Sequence, residues 1–363
     1  AGYWRVGGDT GWAGSTWFSG DIDEVAIYGA PLTRSQVQSH YVASGRELAG
    51  STAPADAYGA AVYSHEPTLY WRLNESAGTL QDASGSGNPG TIFGAATRSV
   101  SGAIVGVAND AIRFAGGQAI STTRFDNPTV YSLEAWFKTT STSGGKIIGF
   151  GNSANGNSNN YDRHVYMTNA GRLTFGVYTG QEQTITTTPS YNDGQWHHVV
   201  ATQGGTGMRL YVDGQLAGTN PTTTAQAYAG YWHVGGDVTW GGNGWEFRGD
   251  IDEVAVYPVQ LDAATAAQHY KIGAAINDVP TAAFSMDVTD LKVDVDASAS
   301  TDPDGTIASY SWNWGDNSAE GTGATASHTY AEAGTYTITL TVTDNGGATA
   351  VKTAEVVVEA PNV

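Results

Sequence analysis

Carboxylates are the side chains of this 363-residue chain with the most chemistry open to them, and three stand together: Asp250, Asp252 and Glu253 in Gly-Asp-Ile-Asp-Glu-Val. Carboxylate pairs can hydrolyse glycosidic bonds, but a retaining pair needs carboxyl groups about 5 Å apart on a ligand-lined face, with unequal pKa values. On an extended strand Asp250 and Asp252 point one way and Glu253 the other. No second carboxylate stands at the glycosidase spacing, and Ile251, Val254 and Val256 read as core. Calcium suits these groups better, because it takes about six to eight hard oxygens, many of them backbone carbonyls of glycine-rich loops. Residues 82–90, Asp-Ala-Ser-Gly-Ser-Gly-Asn-Pro-Gly, supply Asp82 and such a loop. A turn capped by Asp82 through its own backbone is the plainer alternative.

Aromatic residues open a second chemistry. Sugar rings stack on Trp and Tyr while their hydroxyls bond to amides, carboxylates and guanidinium groups. Trp240 and Trp245 lie in the glycine-rich Val-Thr-Trp-Gly-Gly-Asn-Gly-Trp, and Tyr161, Arg163 and His164 follow Asn159-Asn160 in another loop. These are the candidate ligand contacts, with shielding of a sandwich edge as the alternative for the two Trp. Trp71, Trp136 and Trp196 fall in strand patterns and read as core. Other chemistries are excluded. Adjacent His197 and His198 face opposite sides of a strand and cannot share a metal. Gly85 to Gly90 mimic a dinucleotide fingerprint, but Pro89 removes a required donor and no βαβ unit surrounds them. No EF-hand loop and no nucleophile elbow occurs. With no Cys, thiolate metal sites and disulfides are ruled out.

The elements that must carry these residues are strands. Gly numbers 48, and short Val, Ile, Tyr and Trp runs alternate with Thr, Ser and Asn, an all-β composition. Runs at 69–73, 111–116, 132–139, 146–151, 172–178, 196–203, 208–214 and 251–257 read as strands, with Asp213-Gly214 and Asp193-Gly194 as turn dipeptides. Residues 261–273 form the one predicted helix, stopped at Gly273. A net charge of −19 argues against nucleic acid and anionic lipid as partners. No apolar run is long enough to insert in a membrane.

The chain also repeats itself. Ala-Gly-Tyr-Trp-Arg-Val-Gly-Gly-Asp at 1–9 recurs at 229–237 with His for Arg, and Gly-Asp-Ile-Asp-Glu-Val-Ala-Ile-Tyr at 20–28 recurs at 249–257 with Val for Ile. Trp12, Trp17, His40 and Tyr41 fall on Trp240, Trp245, His269 and Tyr270. A period of about 229 residues is a tandem domain duplication rather than a solenoid. Residues 1–48 are the C-terminal part of one copy, 49–57 a linker, 58–275 a whole copy and 279–359 a separate, shorter domain. A partial sandwich exposes strand edges, so another copy or chain, or a further part of the polypeptide, is expected to complete residues 1–48.

Tyr-Trp-Arg-Leu-Asn-Glu-Ser-Ala-Gly (70–78), 82–91, Tyr-Ser-Leu-Glu-Ala-Trp-Phe-Lys (131–138), 193–202, 210–218 and 249–257, in that order, resemble a concanavalin A-like laminin G module of bacterial secreted proteins. Residues 281–285, 297–316 and 328–347, with the alternating Thr-Tyr-Thr-Ile-Thr-Leu-Thr-Val-Thr at 335–343, resemble a polycystic kidney disease (PKD) domain. The resemblance implies a two-sheet jelly roll followed by an immunoglobulin-like sandwich. It implies calcium held by Asp82, the Asn88 carbonyl and Asp252 or Asp250. A second calcium is implied at the domain junction, through Ser300, Asp302, Asp304 and Asn277 or Asp278, with a plain Asp-Pro-Asp-Gly turn as the alternative. The expected function is non-catalytic adhesion to extracellular polysaccharide, secreted or at the cell surface. A structural spacer without a glycan ligand is the alternative, and any catalytic domain would lie elsewhere.

Overall fold

The computed structural model describes residues 3–8, 18–30, 32, 34–44 and 53–361. Trp12 and Trp17 lie outside them. Residues 52–363 contain two β-sandwiches, as the composition requires.

In the larger sandwich an eight-stranded sheet is built around Tyr131–Lys138 and Arg248–Tyr257, and a nine-stranded sheet around Gly144–Gly151, Tyr161–Met167 and Ala229–Val234. Alternation sorts the side chains. Leu133, Ala135 and Phe137 enter the core between the sheets with Ile148, Phe150, Val165, Phe175 and Trp232. Trp136 instead joins a second apolar cluster with Tyr58, Val200, Tyr257 and Ala266. That cluster lies under two helices, Ala57–Ser64 and Ala263–Gly273. The predicted helix is confirmed and capped by Asp262, whose Oδ1 accepts the Thr265 N–H at 2.8 Å. The helix Ala57–Ser64, capped by Asp56, was not expected: its Ala-rich sequence resembles the linker before it.

Between the helices and the sheet lies fully buried Glu134. It accepts from Tyr58 Oη at 2.9 Å and Tyr257 Oη at 2.5 Å, and meets His198 Nε2 at 2.8 Å and His269 Nδ1 at 3.1 Å. Burial raises a carboxyl pKa, yet the two imidazoles outweigh it and hold Glu134 well below the usual range. His269 is raised for the reciprocal reason, against its own desolvation. His197 turns to Asp213 and Asp193, on the opposite side from His198, as adjacent strand residues must.

Asp213-Gly214, both at positive φ, closes the hairpin between Gly207–Val212 and Gln215–Asn220. Asp193-Gly194 is not a hairpin turn but part of the connection into His197–Gly204.

The smaller sandwich pairs Ser285–Thr289, Lys292–Asp296 and Thr325–Thr329 in one sheet, and Ile307–Asn313, Gly334–Asp344 and Thr349–Val358 in another with a short fourth strand. The alternating strand buries Ile338, Leu340 and Val342 against Trp312.

Residues 1–51 form a separate unit. Residues 18–28 contain no strand among the described residues, although they match Phe247–Tyr257. The two copies share a backbone habit: Glu24 and Glu253 both have φ 49°. They also share a hydrogen bond, Phe18 N to Gly7 O at 3.0 Å and Phe247 N to Gly235 O at 2.9 Å. Burial differs. Ile22, Val25, Ile27 and Tyr28 are 46 % to 56 % exposed, whereas Ile251, Val254, Val256 and Tyr257 are buried.

Candidate glycan-binding cleft

The outer face of the nine-stranded sheet carries small and polar residues where the inner face carries the core. Trp240 folds back onto it. A Cβ on Gly176 would lie 2.3 Å from the Trp240 ring, so glycine is what lets the indole sit against the strand Leu173–Tyr178. The indole edge meets the His164 ring at 4.4 Å between centroids and 71°. Trp240 is therefore only 7 % exposed rather than free on a loop. Below it, Lys146 and Asp237 pair at 3.1 Å, both fully buried. Desolvation pulls the Lys146 pKa down despite the carboxylate.

Beside Trp240 opens a cleft of about 180 Å³ lined by Asn159, Asn160, Tyr161, Tyr178, Gln226 and Trp240. None of the six carries a charge. The structure thus brings together the two loops singled out in the sequence, and adds two residues. Tyr178 was accessible to sequence reasoning, since alternation that buries Phe175 and Val177 puts it on the outer face. Gln226 lies between strands and had no such signal.

Arg163 and His164 are corrections. Arg163 is fully buried, and its donors go to Pro128 O, Asp162 Oδ1, Asn127 Oδ1 and Gln226 O. It positions the cleft wall and does not meet solvent. His164 is also fully buried, and neither ring nitrogen makes a hydrogen bond. Burial, with the Lys146 charge, holds its pKa well below 6.5, so the ring is a neutral platform for Trp240. Trp245 is 49 % exposed on Gly244–Glu246 and stands outside the cleft.

The expected calcium ligands of this sandwich do not converge. Asp82 accepts the N–H groups of Tyr70, Ser84 and Asn88 at 2.8–2.9 Å, the turn-capping alternative. The Asn88 carbonyl accepts from Trp71 Nε1 at 2.9 Å. Asp250 is held by Arg113 at 2.6 Å and Lys138 at 3.4 Å. Asp252 accepts from Ala103 N at 2.8 Å and from Asn109. Glu253 does not face away from Asp252 as strict alternation required. A bulge between Asp252 and Ala255, with Glu253 at positive φ, lets both carboxylates reach Asn109 Nδ2. Arg72 bridges Glu253 to Asp56 at 2.8 Å and 2.7 Å. Burial pushes Glu253 up to about 7 even against Arg72, and burial with Glu253 beside it raises Asp252. Both are fully buried and neither lines the cleft, which makes them poor candidates for catalysis.

At the junction, Lys271 contacts Asp278 and lies 3.8 Å from Asp304. Asn277 donates to Asp344 at 2.9 Å, Ser300 is taken up by Ala283, and Asp302 Oδ2 is buried without a partner. No group of three or more His, Asp or Glu among the described residues is arranged to hold a metal ion.

Residues 114–267 match the concanavalin A-like lectin/glucanase superfamily profile for laminin G, and residues 277–358 match the PKD domain. A search of curated proteins finds no match. Among solved structures, the PKD1 domain of Vibrio anguillarum Epp is 38 % identical, covering 23 % of this chain and 99 % of that one at a TM-score of 0.22. The PKD1 domain of the Vibrio cholerae metalloprotease PrtV is 36 % identical, covering 23 % and 100 % at 0.22. Domain 4 of AbnA, an extracellular arabinanase of Geobacillus stearothermophilus solved with arabinotriose, is 18 % identical, covering 56 % and 98 % at 0.44. Residues 114–267 therefore belong to a concanavalin A-like, laminin G-type module, and residues 277–358 to the PKD domain that follows it.

Proposed function

We propose that this chain is an extracellular, non-catalytic binding segment whose laminin G module takes an uncharged glycan in the Trp240 cleft, with the PKD domain as its spacer. The observation that carries this reading is the convergence of three aromatic rings and three side-chain amides in one open, uncharged cleft. Aromatic faces suit the apolar faces of sugars, and amides both donate to and accept from hydroxyls. Of the three rings Tyr178 is the most accessible, 37 % exposed, and is the stacking surface. Calcium, in this reading, belongs to the junction, where Asp302 Oδ2 lacks a partner and amide and carbonyl oxygens can supplement carboxylates. No helix among the described residues is long and apolar enough to cross a membrane.

Titration calorimetry of the whole chain with neutral arabinose, xylose and glucose oligosaccharides tests the cleft. Binding weakened about tenfold by Tyr178→Ala, roughly 1.4 kcal/mol, supports it. Absence of binding to any of them leaves the spacer reading.

A further inference from the structure

The chain has only 16 Lys and Arg against 35 Asp and Glu, yet three cations line one cleft of about 410 Å³ on the other sheet. They are Arg113, Lys138 and Arg248. Strand pairing sets them out in a row: Asp250 on Arg248–Tyr257 stands opposite Arg113 on one neighbouring strand and Lys138 on the other. All three side chains point outward, since Ile112, Phe137 and Ile251 beside them enter the core. Arg113 grips Asp250 with two bonds, at 2.6 Å and 3.0 Å, and Lys138 approaches it at 3.4 Å. One carboxylate facing two cations leaves an excess positive charge. Arg248, two residues earlier on the same strand and so on the same face, adds a guanidinium that is 55 % exposed. Its ion pair is with Glu246 at 3.4 Å, which is half exposed and does not line this cleft.

Two further observations separate this cleft from an ordinary surface ion pair. Lys138 Nζ lies 4.8 Å from the centre of the half-buried Trp196 ring, which places an aromatic face next to the charges. The internal repeat spells the matching stretch without an arginine: Phe-Arg-Gly-Asp at 247–250 reads Phe-Ser-Gly-Asp at 18–21.

We propose that this cleft is a second glycan site, one that takes a sugar bearing an anionic group, a carboxylate or a sulfate ester. Arg248 and the surplus charge of the Arg113–Asp250–Lys138 row receive the anion, and Trp196 holds Lys138 in place from behind. Asp250, neutralised from both sides, holds the two cations at fixed positions rather than repelling the ligand. The site is independent of the uncharged cleft, since the two lie on different sheets and share no residue.

The test is calorimetry of the full chain with oligogalacturonides, with sulfated oligosaccharides, and with free sulfate, at low and physiological salt. Arg248→Ser is the informative variant, because the repeat already carries Ser there and the Asp250 pairs stay intact. The expected result is binding of at least one anionic oligosaccharide, weakened by salt and at least fivefold by Arg248→Ser, and unchanged by Tyr178→Ala. Preference for the uronate or the sulfated chain tells which anion is recognised. Failure of both oligosaccharides to bind, binding no tighter than free sulfate, or affinity indifferent to Arg248→Ser would overturn the proposal.

Discussion

The backbone N–H of Tyr178 donates to Asp162 Oδ2 at 3.1 Å, and the same carboxylate holds Arg163 Nη1 through its other oxygen at 2.5 Å. Arg163 in turn binds the carbonyl of Gln226, whose own N–H reaches Tyr178 O at 2.6 Å. Two residues of the uncharged cleft thus hang from one buried ion pair. Arg163→Met leaves Asp162 buried without its partner, which costs about 3–5 kcal/mol. Chemical denaturation should show that loss, and neutral glycan affinity should fall although residue 163 never reaches solvent.

Gly176→Ala tests whether Trp240 needs its seat. The new methyl would lie 2.3 Å from the indole, well inside van der Waals contact, so the ring must leave. Overpacking of this kind costs about 1–3 kcal/mol. Tryptophan emission should shift to the red; an unchanged spectrum would show that Trp240 does not depend on this position.

Glu134 and His269 set a pH window. His269 has a folded pKa raised above 6.5, so its contribution is complete below 6.5 and is lost as pH rises through the folded value. Glu134 has a folded pKa below 4.5, so its contribution is present above 4.5 and is lost as pH falls through the folded value. The pair stabilises the helix-covered face most between about pH 4.5 and 6.5. Melting temperature against pH should show less fall above pH 6.5 in His269→Gln than in the parent chain.

Glu253 acts with the opposite sign to Glu134. Its folded pKa of about 7 lies above 4.5, so the unfolded chain ionises first and stability drains away as pH rises from 4.5 to about 7. Glu253→Gln should flatten that part of the curve. An equally steep curve in the variant would locate the titration elsewhere.

Calcium at the PKD junction predicts a local response. Chelation should lower the unfolding transition of residues 277–358, and Asp302→Ala should abolish the difference between calcium and chelator. The transition of the laminin G module should stay where it is, because Asp82, Asp250 and Asp252 already spend their oxygens on donors of the chain. Scanning calorimetry with and without chelator measures both.

Alternation and turn chemistry make most of the elements legible in the sequence. Asp213-Gly214 announced its hairpin, the spacing from Leu261 to Gly273 its helix, and the Thr-rich strand its buried face, because each depends on residues close in sequence. The site was half legible. Loops holding Trp240 and Asn159 to Tyr161 advertise themselves by composition, but nothing local says that Arg163 turns inward to an ion pair or that Trp240 packs against a glycine of another strand. The carboxylates misled for the same reason. Calcium and a row of backbone N–H groups ask for the same acidic residue in the same glycine-rich loop, and only the path of the chain decided which of them Asp82 meets.

The repeat states the division most sharply. Gly-Asp-Ile-Asp-Glu-Val-Ala carries within itself a left-handed glutamate, and both copies adopt it at φ 49°. Whether those residues become a buried strand is not theirs to determine. Ile251 and Val254 are wholly buried because Tyr131–Lys138 and Asp110–Ala115 supply hydrogen bonds and apolar cover on both sides, whereas the matching Ile22 and Val25 are exposed and pair with no strand among the described residues. Local sequence sets backbone preference and side-chain alternation; a strand also needs partners for its N–H and C=O groups, and those come from distant parts of the chain.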